Sequence, residues 1–175
     1  MPLGCTGIRP ANAPTLAPSW FVRTHDSVSA SPVVDHGSLY VGAWDGMFYA
    51  VDVATGKVRW TYQIHTHAQN AFGRIVSTAT VLRQRDPSAR GGWRRVVIFG
   101  GGSAVWALDA RTGKRLAVLN LDPRTMAARK APGASDQTVE VESSPVVGAV
   151  KVGGHRQRRI YVGMDVHNDP HVGRT

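Results

Sequence analysis

Short apolar runs, about five residues each and rich in β-branched and aromatic side chains, alternate along the chain with turn residues. Ser38-Leu39-Tyr40-Val41-Gly42 is one such run. Arg95-Val96-Val97-Ile98-Phe99-Gly100 is a second and Arg159-Ile160-Tyr161-Val162-Gly163 a third. No segment carries an apolar period of about 3.6 residues, so strands rather than helices are expected throughout.

The runs belong to a repeat. Ser31-Pro32-Val33-Val34 recurs as Ser144-Pro145-Val146-Val147, and more loosely as Ser77-Thr78-Ala79-Thr80-Val81, each time ahead of one of the three runs. The first two copies continue alike. Phe48-Tyr49-Ala50-Val51-Asp52 leads to Thr55-Gly56-Lys57, and Val105-Trp106-Ala107-Leu108-Asp109 leads to Thr112-Gly113-Lys114. Asp35-His36-Gly37, Asp45-Gly46 and residues 52–56 are natural turns, so the first copy reads as four strands ending in Lys57-Val58-Arg59-Trp60-Thr61-Tyr62. Asp52 and Asp109 can accept hydrogen bonds from amides two or three residues on, and Gly56 and Gly113 can take a positive φ. Four-stranded units in tandem predict an all-β propeller of antiparallel blades. Two blades are expected to be complete, 31–64 and 75–120, with a truncated third over 140–175. Together they make a partial propeller over 20–175, behind a disordered leader or tether over 1–19.

The stretch Ala50-Val51-Asp52-Val53-Ala54-Thr55-Gly56-Lys57-Val58-Arg59-Trp60 resembles the tryptophan-docking motif of pyrroloquinoline-quinone (PQQ) propellers. The resemblance implies that Trp60 packs between adjacent blades, a large flat ring acting as a wedge. It assigns docking roles to Ala50, Asp52, Gly56, Lys57, Trp60, Asp109 and Gly113. The second copy departs from the motif, because Ala117 stands at the tryptophan place. Repeats of this type build quinoprotein alcohol dehydrogenases, polyvinyl-alcohol-dehydrogenase-like proteins and outer-membrane assembly lipoproteins that bind no quinone. The resemblance therefore implies an N-terminal piece of such a propeller, whose first partners are its remaining blades.

Composition narrows the picture. The chain is 42% apolar and 19% charged, which suits a globular protein. No apolar stretch is long enough to span a membrane as a helix. The net charge is +9, yet the basic residues are dispersed and only four of the 21 are Lys. Nucleic acid is therefore not an expected partner. Arg94-Arg95 and the cluster over 156–159 are expected in hairpin turns or loops. The single cysteine, Cys5, excludes an internal disulfide. Leu3-Gly4-Cys5 also looks like the end of a bacterial lipoprotein cleavage site. Two readings stay open: a lipid anchor on Cys5, if the true start lies upstream, or an incidental cysteine in a leader. Either suits a cell-envelope or secreted location.

Asp52 and Asp109 stand farther apart than the about 40–50 residues of a compact blade. The excess sits in the connection 65–74 and in a polar hairpin loop over 82–93, and 122–142 is a further insertion. Long connections on a rigid scaffold are where function concentrates. In a propeller the blade-to-blade links and the turns between second and third strands open on one face. That mouth is expected to gather His65, His67, Gln69, Asn70, Arg74, Asp45, Asp165, His167, Asn168, Asp169 and His171. Asp165, His167 and His171 are ligand types for a divalent metal. The family likeness implies PQQ and Ca²⁺, with His65, His67, Arg74 and Asn168 as cofactor contacts and Asp165 as base on a small alcohol or polymer. The bland alternative is a solvated polar rim.

Two functions are therefore expected: a quinoprotein-type alcohol oxidoreductase, or a non-catalytic envelope binding and assembly scaffold on the same propeller. The absence of a cysteine pair, which quinoprotein alcohol dehydrogenases typically stack over the quinone, favours the second. The polar mouth favours the first.

Overall fold

A computed structural model of the protein describes residues 9–11, 13–64, 73–121 and 138–167. β1 (Val33–Asp35), β2 (Ser38–Gly42), β3 (Met47–Asp52) and β4 (Val58–Gln63) form one antiparallel sheet in that order. β5 (Thr80–Arg85), β6 (Trp93–Gly101), β7 (Ala104–Asp109) and β8 (Arg115–Asn120) form a second sheet with the same order. A third unit is begun by the hairpin of β10 (Val146–Val152) and β11 (His155–Tyr161). Beside it β9 (Thr138–Glu140) pairs with β12 (Asp165–His167). The fold is all-β, a partial propeller of four-stranded antiparallel blades. The helical content of the described residues is two short 3₁₀ turns, Ala13–Thr15 and Arg90–Gly92.

The inner strands are covered on both faces, which is why they read as nearly unbroken apolar runs. Tyr40, Phe48 and Ala50 face the second sheet and meet Val97, Phe99 and Leu108 there. Phe48 and Phe99 lie parallel, their ring centroids 3.9 Å apart. The opposite face of the first sheet carries Tyr49 and Val51, covered by Trp20 and Val22 from the preceding segment. The second sheet turns Val96, Ile98 and Val105 towards Val141, Val147 and Val162 of the third unit. β4 and β8 form the exposed outer rim.

The turns repeat atom for atom. The Asp52 carboxylate accepts the amides of Ala54 at 3.0 Å and Thr55 at 2.9 Å, and the Thr55 hydroxyl at 2.9 Å. Asp109 does the same with Arg111, Thr112 and the Thr112 hydroxyl at 3.0, 2.9 and 3.0 Å. Gly56 and Gly113 close these turns at φ 69° and 72°. The pairing to the rim strand shifts register at the same place in each sheet, at Ala50/Val51 and at Ala107/Leu108.

Two further repeated contacts set the spacing between sheets. A Cβ on Gly42 would collide with Ile75, and one on Gly100 would lie 2.5 Å from Val141 Cγ1. In each case the residue leading into the next unit rests on bare backbone. Two positions after those leaders, Ser77 Oγ donates to Gly100 O at 2.8 Å and accepts Gly100 N at 2.8 Å. Ser143 Oγ makes the same pair with Gly163, at 3.0 and 2.6 Å.

The basic clusters depart from expectation. Arg94 and Arg95 lie within β6, and residues 156–159 within β11, not in turns. The proposed loop over 82–93 is shorter too, because residues 82–85 pair with residues 93–96 in the β5–β6 ladder. Strand pairing here extends beyond the apolar core, so its residues carry charges where burial no longer forbids them.

Candidate functional site

The three units meet at the face where the links open. Ile75 N donates to Ala43 O at 3.1 Å, Gly102 N to Arg74 O at 3.1 Å, and Val141 N to Gly102 O at 2.8 Å. This row of main-chain bonds ties each link to the turn between the second and third strands of its neighbour. Side chains on the row are therefore held by backbone that has little freedom to move.

Arg74 stands on that row. Its guanidinium carbon lies 4.9 Å from the Trp44 ring centroid, a cation–π distance. Its Nη2 lies 3.5 Å from Glu140 Oε2, and the Glu140 side chain is only 4% exposed. A carboxylate buried to that degree needs a cationic neighbour to remain charged. Asp165 is the register partner of Glu140 in the β9–β12 pair, and it is exposed.

Asp45 is consumed by its own turn. It accepts Met47 N at 2.8 Å, the Tyr49 hydroxyl at 2.9 Å and His25 N at 3.2 Å. Burial, followed by the hydrogen bond to Asp45, pushes the Tyr49 phenol up to about 12. Gln63 Nε2 donates to Asp45 O at 3.1 Å and closes the same turn. This end of the first sheet is a closed polar lock.

Of the residues expected at the mouth, the structure places Arg74 on the link row and Asp165 on β12 beside Glu140. His167 ends β12. His65, His67, Gln69, Asn70, Asn168, Asp169 and His171 lie outside the described residues, as does Cys5. No group of three or more His, Cys, Asp or Glu that could hold a metal occurs among the described residues. No helix there is long and apolar enough to cross a membrane.

Sequence reasoning missed Trp44 and Glu140. Trp44 directly precedes the Asp45-Gly46 turn, and an aromatic at a turn was the available signal. Glu140 falls in the stretch expected as an insertion, but it directly precedes Val141 as Arg74 directly precedes Ile75, so it occupies the matching repeat position. Trp20 was missed as well. Its indole N–H donates to Val53 O at 2.9 Å, and a Cβ on Gly56 would come within 2.7 Å of its ring. Trp60 does the same one unit later, donating to Ala110 O at 3.2 Å over Gly113.

The family model for the β-propeller domain of glucose/ethanol/alcohol dehydrogenase matches residues 4–164. A 1-butanol dehydrogenase (cytochrome c) of Thauera butanivorans is 31% identical over 114 residues, which is 62% of this chain and 15% of that protein. The chain thus spans a small part of the length of the relative it matches. Among solved structures, BamB from Moraxella catarrhalis is 18% identical, with a TM-score of 0.49 over 74% of this chain and 30% of that one. A quinohemoprotein alcohol dehydrogenase from Comamonas testosteroni is 26% identical, with a TM-score of 0.43 over 69% of this chain and 16% of that one.

Proposed function

The chain belongs to the family of glucose/ethanol/alcohol dehydrogenase β-propeller domains, and from that membership we propose that it is part of a PQQ- and Ca²⁺-dependent enzyme that oxidises alcohols. The observation that carries the reading is Arg74, held between the Trp44 ring and the Glu140 carboxylate on the face where the links open. PQQ bears several carboxylates, and a guanidinium fixed on a rigid row is suited to pairing with one of them.

The described residues fit part of such a site. Arg74 suits a cofactor carboxylate, and Glu140 and Asp165 put two carboxylates on paired strand positions. Ca²⁺ takes about six to eight oxygens, and the described residues alone fall short of that shell. In this reading His65, His67, Arg74 and Asn168 contact the cofactor. Asp165, His167 and His171 serve the metal, and Asp165 is the base that takes the alcohol proton. PQQ, when bound, supplies the oxidant. The substrate is a small alcohol or an alcohol-bearing polymer, and the location is the cell envelope or outside the cell.

The same reading gives Ala50, Asp52, Gly56, Lys57, Trp60, Asp109 and Gly113 the task of docking one blade on the next. The seat of Trp60 on Gly113 supports it. The remaining blades are then the first partners of this segment.

A second reading, a non-catalytic envelope binding and assembly scaffold, is favoured by one observation: this chain has a single cysteine and so no cysteine pair to stack over a quinone. Titrating PQQ with Ca²⁺ into the full-length protein separates the two. The enzyme reading expects quinone absorbance and dye-linked alcohol oxidation, both weakened by Arg74→Ala. No binding would remove it and leave the scaffold.

A further inference from the structure

A cavity of about 830 Å³ opens between the first and second sheets, at the end of the strands opposite the links. It is bounded by the β1–β2 turn, the β5–β6 loop and the β7–β8 turn. Its floor is the seam itself, where the Tyr40 hydroxyl donates to Ala110 O at 2.9 Å. Six permanent cations line it: Arg59, Arg90, Arg94, Arg95, Arg111 and Lys114.

The six divide into two sets. Arg59 is held by Asp52 at 2.5 Å, and Arg95 reaches across from the second sheet to Asp35 of the first at 2.9 Å. Arg94 pairs with Asp86 and also with Asp109, the latter at 3.2 Å. These pairs lock three guanidinium groups as a wall. Among the described residues no carboxylate pairs with Arg90, Arg111 or Lys114, and the one lining carboxylate, Asp109, is held by Arg94, so positive charge edges the wall. A smaller basic recess, lined by Arg83, Arg90 and Trp93, flanks the same loop. There Arg83 lies 4.4 Å from the Trp93 ring centroid.

We propose that this cleft is a binding site for a small oxyanion carrying two or more carboxylate or phosphate groups. The volume falls within the roughly 300–1,000 Å³ of small-molecule sites. Guanidinium groups fixed by carboxylates give directional donors without loss of side-chain freedom on binding. Arg90, Arg111 and Lys114, which pair with no carboxylate among the described residues, supply the attraction that favours a multivalent anion over chloride. The site shares no residue with the link face, so it stands or falls independently of quinone binding.

Calorimetric titration of the full chain with citrate and, separately, with pyrophosphate tests this, using sodium chloride at equal ionic strength as reference. Saturable binding of citrate, of pyrophosphate or of both is expected. Which one binds assigns the carboxylate or the phosphate class. Arg111→Glu and Lys114→Glu should each weaken binding about tenfold or more, with an unchanged melting temperature in the absence of ligand. Arg23→Glu, at an exposed cation that does not line the cleft, should leave binding intact. Two results would overturn the proposal. One is no saturable binding by either anion up to roughly 10 mM. The other is an equal loss from Arg23→Glu, which would mean that overall charge attracts the anions.

Discussion

The Trp60 ring lies so close over Gly113 that a single added carbon there would meet it at 2.7 Å, while its N–H donates to Ala110 O at 3.2 Å. Trp20 and Gly56 repeat the arrangement one unit earlier, with Val53 O as acceptor. The two seams are thus made by one local device: an Asp-closed turn that ends in glycine and accepts an indole from the neighbouring segment.

Gly113→Ala is accordingly expected to destabilise the fold by about 2–3 kcal/mol, from overpacking against the indole and from the positive φ that alanine resists. Gly56→Ala should behave alike. Gly153→Ala, also at positive φ but facing open space, should cost less. Urea midpoints of the three variants check the order, and equal losses would show that backbone strain alone matters.

Removing the ring tests the same seam from the other side. Trp60→Ala should lose roughly 3 kcal/mol of stability. Trp60→Phe keeps most of the packing but drops the bond to Ala110, and should lose about 1–2 kcal/mol. Chemical denaturation followed by circular dichroism distinguishes the two.

Ser77 and Ser143 make the same two bonds to a glycine, but Ser77 is buried and Ser143 is not. Ser77→Ala leaves the Gly100 amide and carbonyl without a partner in a dry interior and should cost about 2 kcal/mol. Ser143→Ala lets water replace the hydroxyl and should cost less than about 1 kcal/mol. Comparable losses at both sites would contradict the burial argument.

Two depressed carboxylates predict an acid limb of stability. The hydrogen bond from Arg59, then those from Thr55, hold the Asp52 carboxyl at about 2, below its ordinary 3.8. Hydrogen bonds from Ser88 hold Asp86 low as well. A depressed carboxylate stabilises the fold fully above its unfolded value and loses that contribution as the pH falls through the folded one. The melting temperature should therefore drop between pH 4 and 2, and Asp52→Asn should flatten that drop while lowering the value at pH 7. A variant whose acid limb matches the parent's would refute the assignment.

Much of the architecture was readable from the residues. The Ser-Pro-Val-Val echo and the two Asp-to-Gly-Lys turns located the four-stranded units, because turn chemistry is local. The link face was readable only in part. Arg74 is legible as a link residue, whereas Glu140, which pairs with it at the matching position before Val141, carries no sequence signal because the residues before it do not echo those before Arg74. Trp20 is legible only as the start of the propeller region, because its contacts with Val53 and Gly56 are non-local and no docking motif surrounds it. The charged ends of β6 and β11 looked like turns because a ladder that runs past the core keeps no apolar alternation.

At Gly42 and Gly100 the aliphatic leaders Ile75 and Val141 lie on naked peptide planes. The wedge angle between successive sheets is thereby governed by the thickness of the main chain, and any side chain at either glycine would act as a shim. A circular array closes only when its angular steps add up to a whole revolution. The number of sectors such a ring can hold is thus tied to two positions that carry no side chain.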